Sequence, residues 1–292
     1  MSAPRFIADR SPRGLVVVTG GDATSFLQGL LSQDLDPLAD GGDLPALLLS
    51  PQGKLDVAVR ALRVGDAWWL DTDADYAPRL AASLGRFRIR VQVELEDRTP
   101  STGLVSLVGV DPGTDRPGIY QLATRWAGHP GVDLLGDAAA VHAATAALDP
   151  AVERWTPERF EAFRIEAGVP RLGVDVDDAT IPQEAFLERD AVSFTKGCFL
   201  GQELVCRIDT RGHVNRYLRG LRLPGSALPP FGAAVIVEGR ERGVLTSAAV
   251  VPGEDRVVGL AMVRREVEPP TPVQLRWDDT DHDAELVAVD QP

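Results

Sequence analysis

Lys196-Gly197-Cys198-Phe199-Leu200-Gly201-Gln202-Glu203 stands apart from the rest of the 292-residue sequence. Glycines lie beside Cys198 and three positions after it, so the backbone can turn sharply there and present the thiol. Residues from Gln202 to Ile208 have helical propensity, which places Cys198 just before a helix N-terminus. That position, with the Lys196 ammonium nearby, favours the thiolate over the thiol. The stretch therefore predicts a reactive or redox-handling cysteine.

A purely structural interpretation of the same cysteine stays open. Buried cysteines commonly pack as small apolar side chains, and Cys198 could do so beside its turn. Cys206 fits that interpretation better, because it lies within the predicted helix next to Val205.

Composition excludes several functional classes. The formal net charge of −13 opposes direct nucleic-acid binding, because most of the surface would repel phosphates. No run of residues is apolar enough to span a membrane, and the first ten residues do not form a signal peptide. Two cysteines and four scattered histidines give neither a disulfide framework nor a metal or cluster site. We expect a cytoplasmic protein without a bound metal.

The first half of the chain has the pattern of an α+β fold. After the turn at Pro51-Gln52-Gly53, Leu55 and Val57 lie on one side of a strand and Asp56 on the other. A helix is predicted over roughly 74–84, and alternating apolar residues predict a strand over 87–95. This order of elements indicates a mainly antiparallel sheet.

A helix and a set of short strands are predicted in the second half. Thr156 can cap a helix whose first residue is Pro157, and Phe160 and Phe163 form its apolar stripe, away from Arg164. From Arg216 onward, evenly spaced short strands without helices predict a small β-barrel. They are predicted at roughly 217–223, 234–238, 244–251, 257–263, 273–277 and 285–289.

Five arginines follow the Lys-Gly-Cys stretch closely in an otherwise acidic chain. Such a cluster suits the carboxylates of a small ligand or a phosphate, although the arginines alone are better explained by a solvated face with i,i+4 pairs. The five are Arg207, Arg211, Arg216, Arg219 and Arg222.

At every defined position, residues 196–203 resemble the Lys-Gly-Cys-Tyr/Phe-x-Gly-Gln-Glu signature of one protein family. That family is the YgfZ-type branch of the folate-binding, aminomethyltransferase-like proteins. Other segments resemble the same family in the same order, so the resemblance spans nearly the whole chain. These are residues 26–34, 50–54, 164–170, 182–185, 243–247 and 259–261.

The resemblance implies a fold similar to the glycine-cleavage T protein, with α+β subdomains and a C-terminal β-barrel. Residues 1–215 would form the folate-binding region, as two interleaved subdomains with the second at about 46–110, and residues 216–292 the barrel. It also implies tetrahydrofolate, or a one-carbon derivative, as ligand. Iron–sulfur enzymes or assembly proteins would be the partners, including enzymes that modify tRNA.

The resemblance assigns roles to individual residues. Cys198 would be the functional thiol and Lys196 its electrostatic neighbour. Glu184 would contact the pterin ring, whose amino and N–H edge a carboxylate can bind. Further candidates for the folate site are Glu166, Arg216, Gln202 and Glu203.

Two other functions stay open. A true aminomethyltransferase would carry a paired Asp-Asp after the first hairpin turn, where this chain has Leu55-Asp56-Val57-Ala58. Asp56 is the catalytic candidate in that case, although its partner acid is replaced by Val57. The third possibility is a non-catalytic adaptor with a vestigial folate site.

Overall fold

A computed structural model describes residues 4–126 and 128–289 of the chain. The chain divides into two compact units. The first holds the described residues up to Arg125 together with His129–Trp155 and Leu187–Arg207, and the second holds mainly Thr156–Phe186 and the chain from Ile208. The helices are α1 (Ala23–Leu30), α2 (Ala77–Gly85), α3 (Ala138–Ala146), α4 (Pro157–Glu166), α5 (Glu188–Ala191) and α6 (Gln202–Arg211).

Two five-stranded sheets form the first unit. Every strand pair is antiparallel except the parallel pair β1–β10. One sheet has the order β3 (Asp43–Leu49), β4 (Leu55–Val64), β5 (Ala67–Asp73), β2 (Arg13–Thr19), β6 (Glu94–Asp97). The other has the order β10 (Glu153–Trp155), β1 (Phe6–Asp9), β7 (Thr102–Val108), β9 (Gly131–Asp137), β8 (Ile119–Ala123).

The strand predicted over 87–95 is wrong. The chain turns after α2 and enters β6 only at Glu94. Arg90 has a φ of 56°, a left-handed conformation that ends any extended run. The side chains of Phe87 and Ile89 are 38% and 72% exposed, so their alternation marks a surface and not a core face. The helix predicted at 74–84 is confirmed as a 3₁₀ turn followed by α2.

Apolar and ionic contacts both join the two sheets of the first unit. Leu62 of one sheet packs with Leu104 and Leu135 of the other. Beside them, the Arg60 guanidinium donates to Asp71 of its own sheet at 3.0 Å and to Asp133 of the other sheet at 2.9 Å. Both carboxylates are buried, so this network stabilises the stack only while each charge keeps its partner.

The second unit contains the predicted β-barrel. Its six strands are antiparallel and close on themselves in the order β11–β14–β13–β12–β15–β16. All six predicted strands are present, although β13 and β16 begin four and five residues earlier than expected. The fold class is therefore confirmed. A domain boundary at 215/216 stays a prediction. Residues 1–3 and 290–292 of the predicted domains lie outside the described part. The strands are β11 (Arg216–Pro224), β12 (Ala234–Val237), β13 (Arg240–Val250), β14 (Arg256–Arg264), β15 (Thr271–Trp277) and β16 (Thr280–Val287).

Helix α4 belongs to the second unit. The Thr156 side chain accepts a hydrogen bond from the Arg159 amide, and Pro157 is the first helical residue, as predicted. Arg164 is not a solvated residue, because only 6% of its surface is exposed. Its guanidinium donates to Asp175 at 2.9 Å and to Ser247 of β13 at 3.1 Å.

Candidate functional site

Lys196 is the anchor of the loop that carries Cys198. We call residues 193–201 the thiol loop. The Lys196 ammonium donates to the carbonyl oxygens of Gln28 at 2.8 Å, Leu31 at 2.9 Å and Gln33 at 2.8 Å. These carbonyls lie at and just beyond the C-terminal end of α1, where a cation is favoured by the helix dipole.

The anchoring changes how Lys196 relates to Cys198. An ammonium has three N–H donors, and all three are used on carbonyl groups, so none is left for the thiol. Burial lowers the pKa of Lys196 to about 8, and the nearby carboxylates of Asp34 and Asp36 oppose this shift. Lys196 therefore holds the loop in place, and its expected electrostatic effect on Cys198 stays a prediction.

Backbone hydrogen bonds fix the thiol loop on both sides of the cysteine. The Leu200 amide donates to the Gly29 carbonyl at 3.1 Å, and the Ser193 amide donates to the Ser32 carbonyl at 2.9 Å. The buried Ser32 hydroxyl donates to the Ala191 carbonyl at 2.6 Å. Two segments that resemble the same family, 26–34 and 196–203, thus contact each other directly.

The first hairpin turn is the third segment that meets this loop. Gly53 and Gly201 both have left-handed φ values, +73° and +77°. A Cβ atom on Gly201 would lie 2.9 Å from the Leu49 Cβ, and one on Gly53 would lie 2.7 Å from the Leu204 Cβ. Both contacts are shorter than van der Waals packing allows, so only glycine fits at either position.

Cys198 is exposed at the outer end of this rigid loop, whereas Cys206 is half-buried in α6. A Cβ atom on the neighbouring Gly197 would meet no atom within 4 Å, so the space beside Gly197 is open as well. Helix α6 starts at Gln202, which places Cys198 four residues before it, as the sequence indicates. The first turn holds the half-buried Gln202 and the exposed Glu203, whose roles toward a cofactor stay predictions.

Glu184 and Arg216, two of the predicted folate-site residues, form an ion pair in the second unit. The Arg216 Nε donates to the Glu184 Oε1 at 2.9 Å, and the Nη2 donates to the Oε2 at 3.1 Å. The same Oε2 accepts from the Ile181 amide, which closes the 3₁₀ turn Pro182–Glu184. Glu184 is 6% exposed, so this carboxylate is a buried acceptor with most of its capacity in use.

The remaining predicted residues are also paired. Glu166 lies at the end of α4, is exposed and accepts from Arg256 of β14 at 2.8 Å. Asp56 lies opposite the buried Leu55 and Val57, as predicted, and accepts from the Arg79 Nε at 2.7 Å. Their proposed roles at a folate site or in transfer chemistry remain untested.

Comparison with known proteins extends the resemblance over nearly the whole chain. No family model matches the sequence. Proteins named tRNA-modifying protein YgfZ, from Escherichia coli O157:H7 (strain EC4115 / EHEC) and from Escherichia coli (strain K12), are 28% identical over 284 residues. The alignments cover 90% of this chain and 87% of each relative. The chain is YgfZ-like.

A solved structure matches the fold of the YgfZ-like chain. It is the glycine cleavage system aminomethyltransferase T from Bartonella henselae, with a TM-score of 0.82 and 22% sequence identity. The match covers 98% of this chain and 86% of that protein. The aminomethyltransferase-like fold is therefore confirmed, and at this identity the match supports the fold alone.

Sequence reasoning missed the aromatic group beside Glu184. Phe186 lies flat on Tyr217 with ring centroids 5.3 Å apart, and the Arg219 guanidinium lies 4.9 Å from the centre of the Tyr217 ring. Phe186 has a φ of 59°, which is rare for a bulky residue and marks a position of local strain. No local sequence pattern predicts this backbone conformation, because the ring that packs on Phe186 belongs to β11.

Three of the five clustered arginines lie on β11, and each has different surroundings. Residues at 216, 219 and 222 alternate across β11, so Arg219 points to the opposite face from Arg216 and Arg222. Arg216 pairs with Glu184 and Arg219 covers aromatic rings, whereas Arg222 is exposed. These three arginines therefore do not converge on one anion.

The described residues contain neither a helix fit to cross a membrane nor a cluster of metal-binding side chains. None of the described helices is long and apolar enough to cross a membrane. Among residues 4–126 and 128–289, no group of three or more His, Cys, Asp or Glu side chains is arranged to hold a metal ion.

Proposed function

We propose that the chain binds tetrahydrofolate, or a one-carbon derivative, and supports the assembly or repair of iron–sulfur enzymes, with Cys198 as the working thiol. The observation that carries this proposal is the way Cys198 is held. It is exposed, while Lys196 and Leu200 on either side of it are hydrogen-bonded to the C-terminal end of α1 and to the residues just beyond it. A reactive thiol needs access and a fixed position, and a buried structural cysteine would have neither exposure nor such a platform.

The residues around Glu184 fit a folate. A pterin ring offers an amino and N–H edge to a carboxylate, and its planar face can stack on an aromatic ring. Glu184 supplies a buried carboxylate that accepts three hydrogen bonds from Arg216 and Ile181 and keeps one of its roughly four acceptor sites. Phe186, two residues later, supplies an aromatic side chain. Arg222 of β11 is exposed and can bind a carboxylate of the glutamate tail.

The name of the relatives supports the choice of partner. They are named tRNA-modifying proteins, and the family resemblance implies iron–sulfur enzymes, including ones that modify tRNA, as partners. Because this chain carries a net charge of −13, we propose that it acts on the enzyme and makes no direct contact with tRNA. Cys198 and Cys206, the two cysteines of the chain, are not joined in a disulfide, which suits a reducing compartment such as the cytoplasm.

The test of the thiol is iron–sulfur enzyme activity in cells that lack this protein. Activity should fall on deletion, return with the wild-type gene, and stay low with Cys198→Ser. The matched control is Cys206→Ser, which removes the other thiol and should restore activity. Activity that is indifferent to deletion would overturn the proposed function. Full rescue by Cys198→Ser would favour the non-catalytic adaptor.

The test of the ligand is calorimetric titration with tetrahydrofolate. Loss of a hydrogen bond to a carboxylate costs about 1.5–3 kcal/mol, so Glu184→Ala should weaken binding by about tenfold or more. Glu241→Ala, a change to an exposed glutamate of the same unit, should leave binding unchanged. Equal affinity of the two variants would remove Glu184 from the site.

The aminomethyltransferase alternative receives no support from the geometry. Its candidate Asp56 accepts a hydrogen bond from Arg79, and the neighbouring position is the buried Val57.

A further inference from the structure

Residues 86–97 form an exposed segment whose charges are split into two halves. We call it the split-charge segment. Its first five residues are Arg-Phe-Arg-Ile-Arg and its last four are Glu-Leu-Glu-Asp. All six charged side chains are exposed, and so are Phe87 and Ile89, with Ile89 72% exposed. Arginine and aromatic side chains are enriched at protein interfaces, and an exposed aliphatic side chain beside them adds apolar area that a partner can bury.

The conformation of this segment is fixed before any partner binds. The Phe87 amide donates to the Leu84 carbonyl at 3.0 Å, which continues the end of α2. At the centre of the segment, the Gln92 amide donates to the Asp22 carboxylate at 2.7 Å and the Asp22 amide donates back to the Gln92 carbonyl at 3.2 Å. A preorganised surface loses less conformational entropy on binding than a flexible loop does.

The charges of the segment are largely unpaired within one copy. Arg88, Arg90 and Glu94 form no ion pair with any residue that the structure describes. Glu96 pairs with Arg98, but both side chains are exposed, and such a surface pair is readily exchanged for another. Three unpaired or weakly paired charges of each sign thus stand side by side in a chain that is otherwise strongly acidic.

The acidic half is also an open sheet edge. Strand β6 pairs with β2 on one side and ends its sheet on the other, as far as the described residues extend. Acidic side chains on an edge strand repel another acidic edge, so they protect it against indiscriminate pairing. They attract a surface that presents arginines at the same spacing.

We propose that two copies of this chain associate through the split-charge segment, around a two-fold axis with the two segments antiparallel. In that arrangement the arginine half of each copy faces the acidic half of the other. A two-fold interface requires a self-complementary surface of this kind. Phe87 and Ile89 lose their contact with water at the same interface. Nucleic acid and anionic membranes would attract the arginines but would be repelled by the acids beside them.

The test is the mass of the full-length protein as a function of concentration, by sedimentation equilibrium or light scattering. A segment of this size predicts a modest dissociation constant, on the order of 10 µM. The mean mass should rise from 31.3 kDa toward twice that value as concentration passes this level. The dimer should weaken as salt rises from about 0.05 M to about 0.5 M, because exposed charges are screened.

Charge reversal makes the test specific without requiring the detailed register. Arg88→Glu with Arg90→Glu keeps Arg86 but makes both halves of the segment net negative, whereas Glu94→Lys with Glu96→Lys keeps Asp97 but makes both halves net positive. Each doubly substituted protein should be monomeric alone, and an equal mixture of the two should form a heterodimer. Ile89→Asp should also be monomeric, whereas Phe231→Asp should dimerise like the wild type. Phe231 is the matched control because it is 75% exposed on the other unit.

Three results would overturn the proposal. The first is a wild-type mass that stays at 31.3 kDa up to a protein concentration about ten times the expected dissociation constant. The second is a dimer that persists in both charge-reversed proteins. The third is an equal mixture of the two that stays monomeric. Circular dichroism melting of each variant verifies that it is folded, and all these positions are exposed, so loss of fold is not expected.

Discussion

Replacing Lys196 by methionine removes the ammonium group that ties the thiol loop to the end of α1. Methionine keeps most of the length and the apolar contacts of the lysine side chain, including its position over the Phe199 ring. The carbonyls of Gln28, Leu31 and Gln33 then lose their donor. We expect the thiol loop to become mobile and the first unit to lose stability.

The size of this effect follows from the hydrogen bonds. Hydrogen bonds from a charged donor contribute about 1.5–3 kcal/mol each, so three contribute at least about 4–5 kcal/mol. Burial of the ammonium opposes this stabilisation, as its lowered pKa of about 8 indicates. Because the side chain is partly exposed, we take the cost of burying its charge as about 1–2 kcal/mol. We therefore expect Lys196→Met to lower the free energy of unfolding by about 3 kcal/mol.

Lys54→Met is the matched control, because Lys54 is exposed and is the only other lysine of the chain. Denaturant unfolding measures the loss of stability, and hydrogen exchange of the Leu200 amide reports the loop itself. Lys54→Met should match the wild type in both. If Lys196→Met unfolded within about 0.5 kcal/mol of the wild type and kept the Leu200 amide protected, the lysine would not hold the loop.

Three further predictions concern titration, packing and buried charge. The rate of amine acylation at Lys196 should titrate near pH 8 in the folded protein and at higher pH after denaturation. Between these two pH values unfolding takes up a proton, so the stability of the protein rises with pH in that range. Gly201→Ala should destabilise the protein by more than about 2 kcal/mol in a denaturant titration, whereas Gly197→Ala should be nearly neutral, since only Gly201 is crowded and left-handed. Burial alone would raise the pKa of Asp71, but its arginine partners lower it, so the stability that this carboxylate contributes is lost only as the pH falls below about 4. Asp71→Asn should therefore lower the free energy of unfolding by about 3–5 kcal/mol near neutral pH and make stability depend less on pH in the acid range.

The β-barrel was predictable because its strands are short, alternate in polarity and are separated by turn residues. Half of the neighbouring pairs in the barrel are also consecutive in sequence, namely β12–β13, β13–β14 and β15–β16. Local pattern and tertiary pairing therefore agree there. The Thr156–Pro157 start of α4 was predictable for the same reason, since a helix cap is a local interaction.

The same kind of pattern failed between Phe87 and Leu95. Alternation predicts a strand only if a partner strand and a covering layer are available, and neither is visible in the sequence. Here the segment turns at Arg90 and leaves Phe87 and Ile89 in solvent. Strong local periodicity without burial is the reason that we interpret this segment as a surface for association.

The role of Lys196 was equally hidden. Its spacing from Cys198 suggests a direct electrostatic partnership, but its three acceptors are 163 to 168 residues away in the chain. Likewise, Arg164 looks like a polar residue on a helix surface, and only the fold places it against Asp175 and Ser247. In both cases the contacts that define the role of the side chain join segments that are separated in the chain, so no local sequence pattern predicts them.

The order of residues in the thiol loop has a simple physical interpretation. Lys196 and Phe199 are fixed, one by hydrogen bonds and the other by burial, and Gly201 fits only because it has no side chain. Gly197 and Cys198 between them are exposed. A cysteine kept for packing would not be placed at the outer point of so strongly held a loop. The arrangement instead supports the proposal that Cys198 acts on another molecule, because such a thiol needs access and a fixed position.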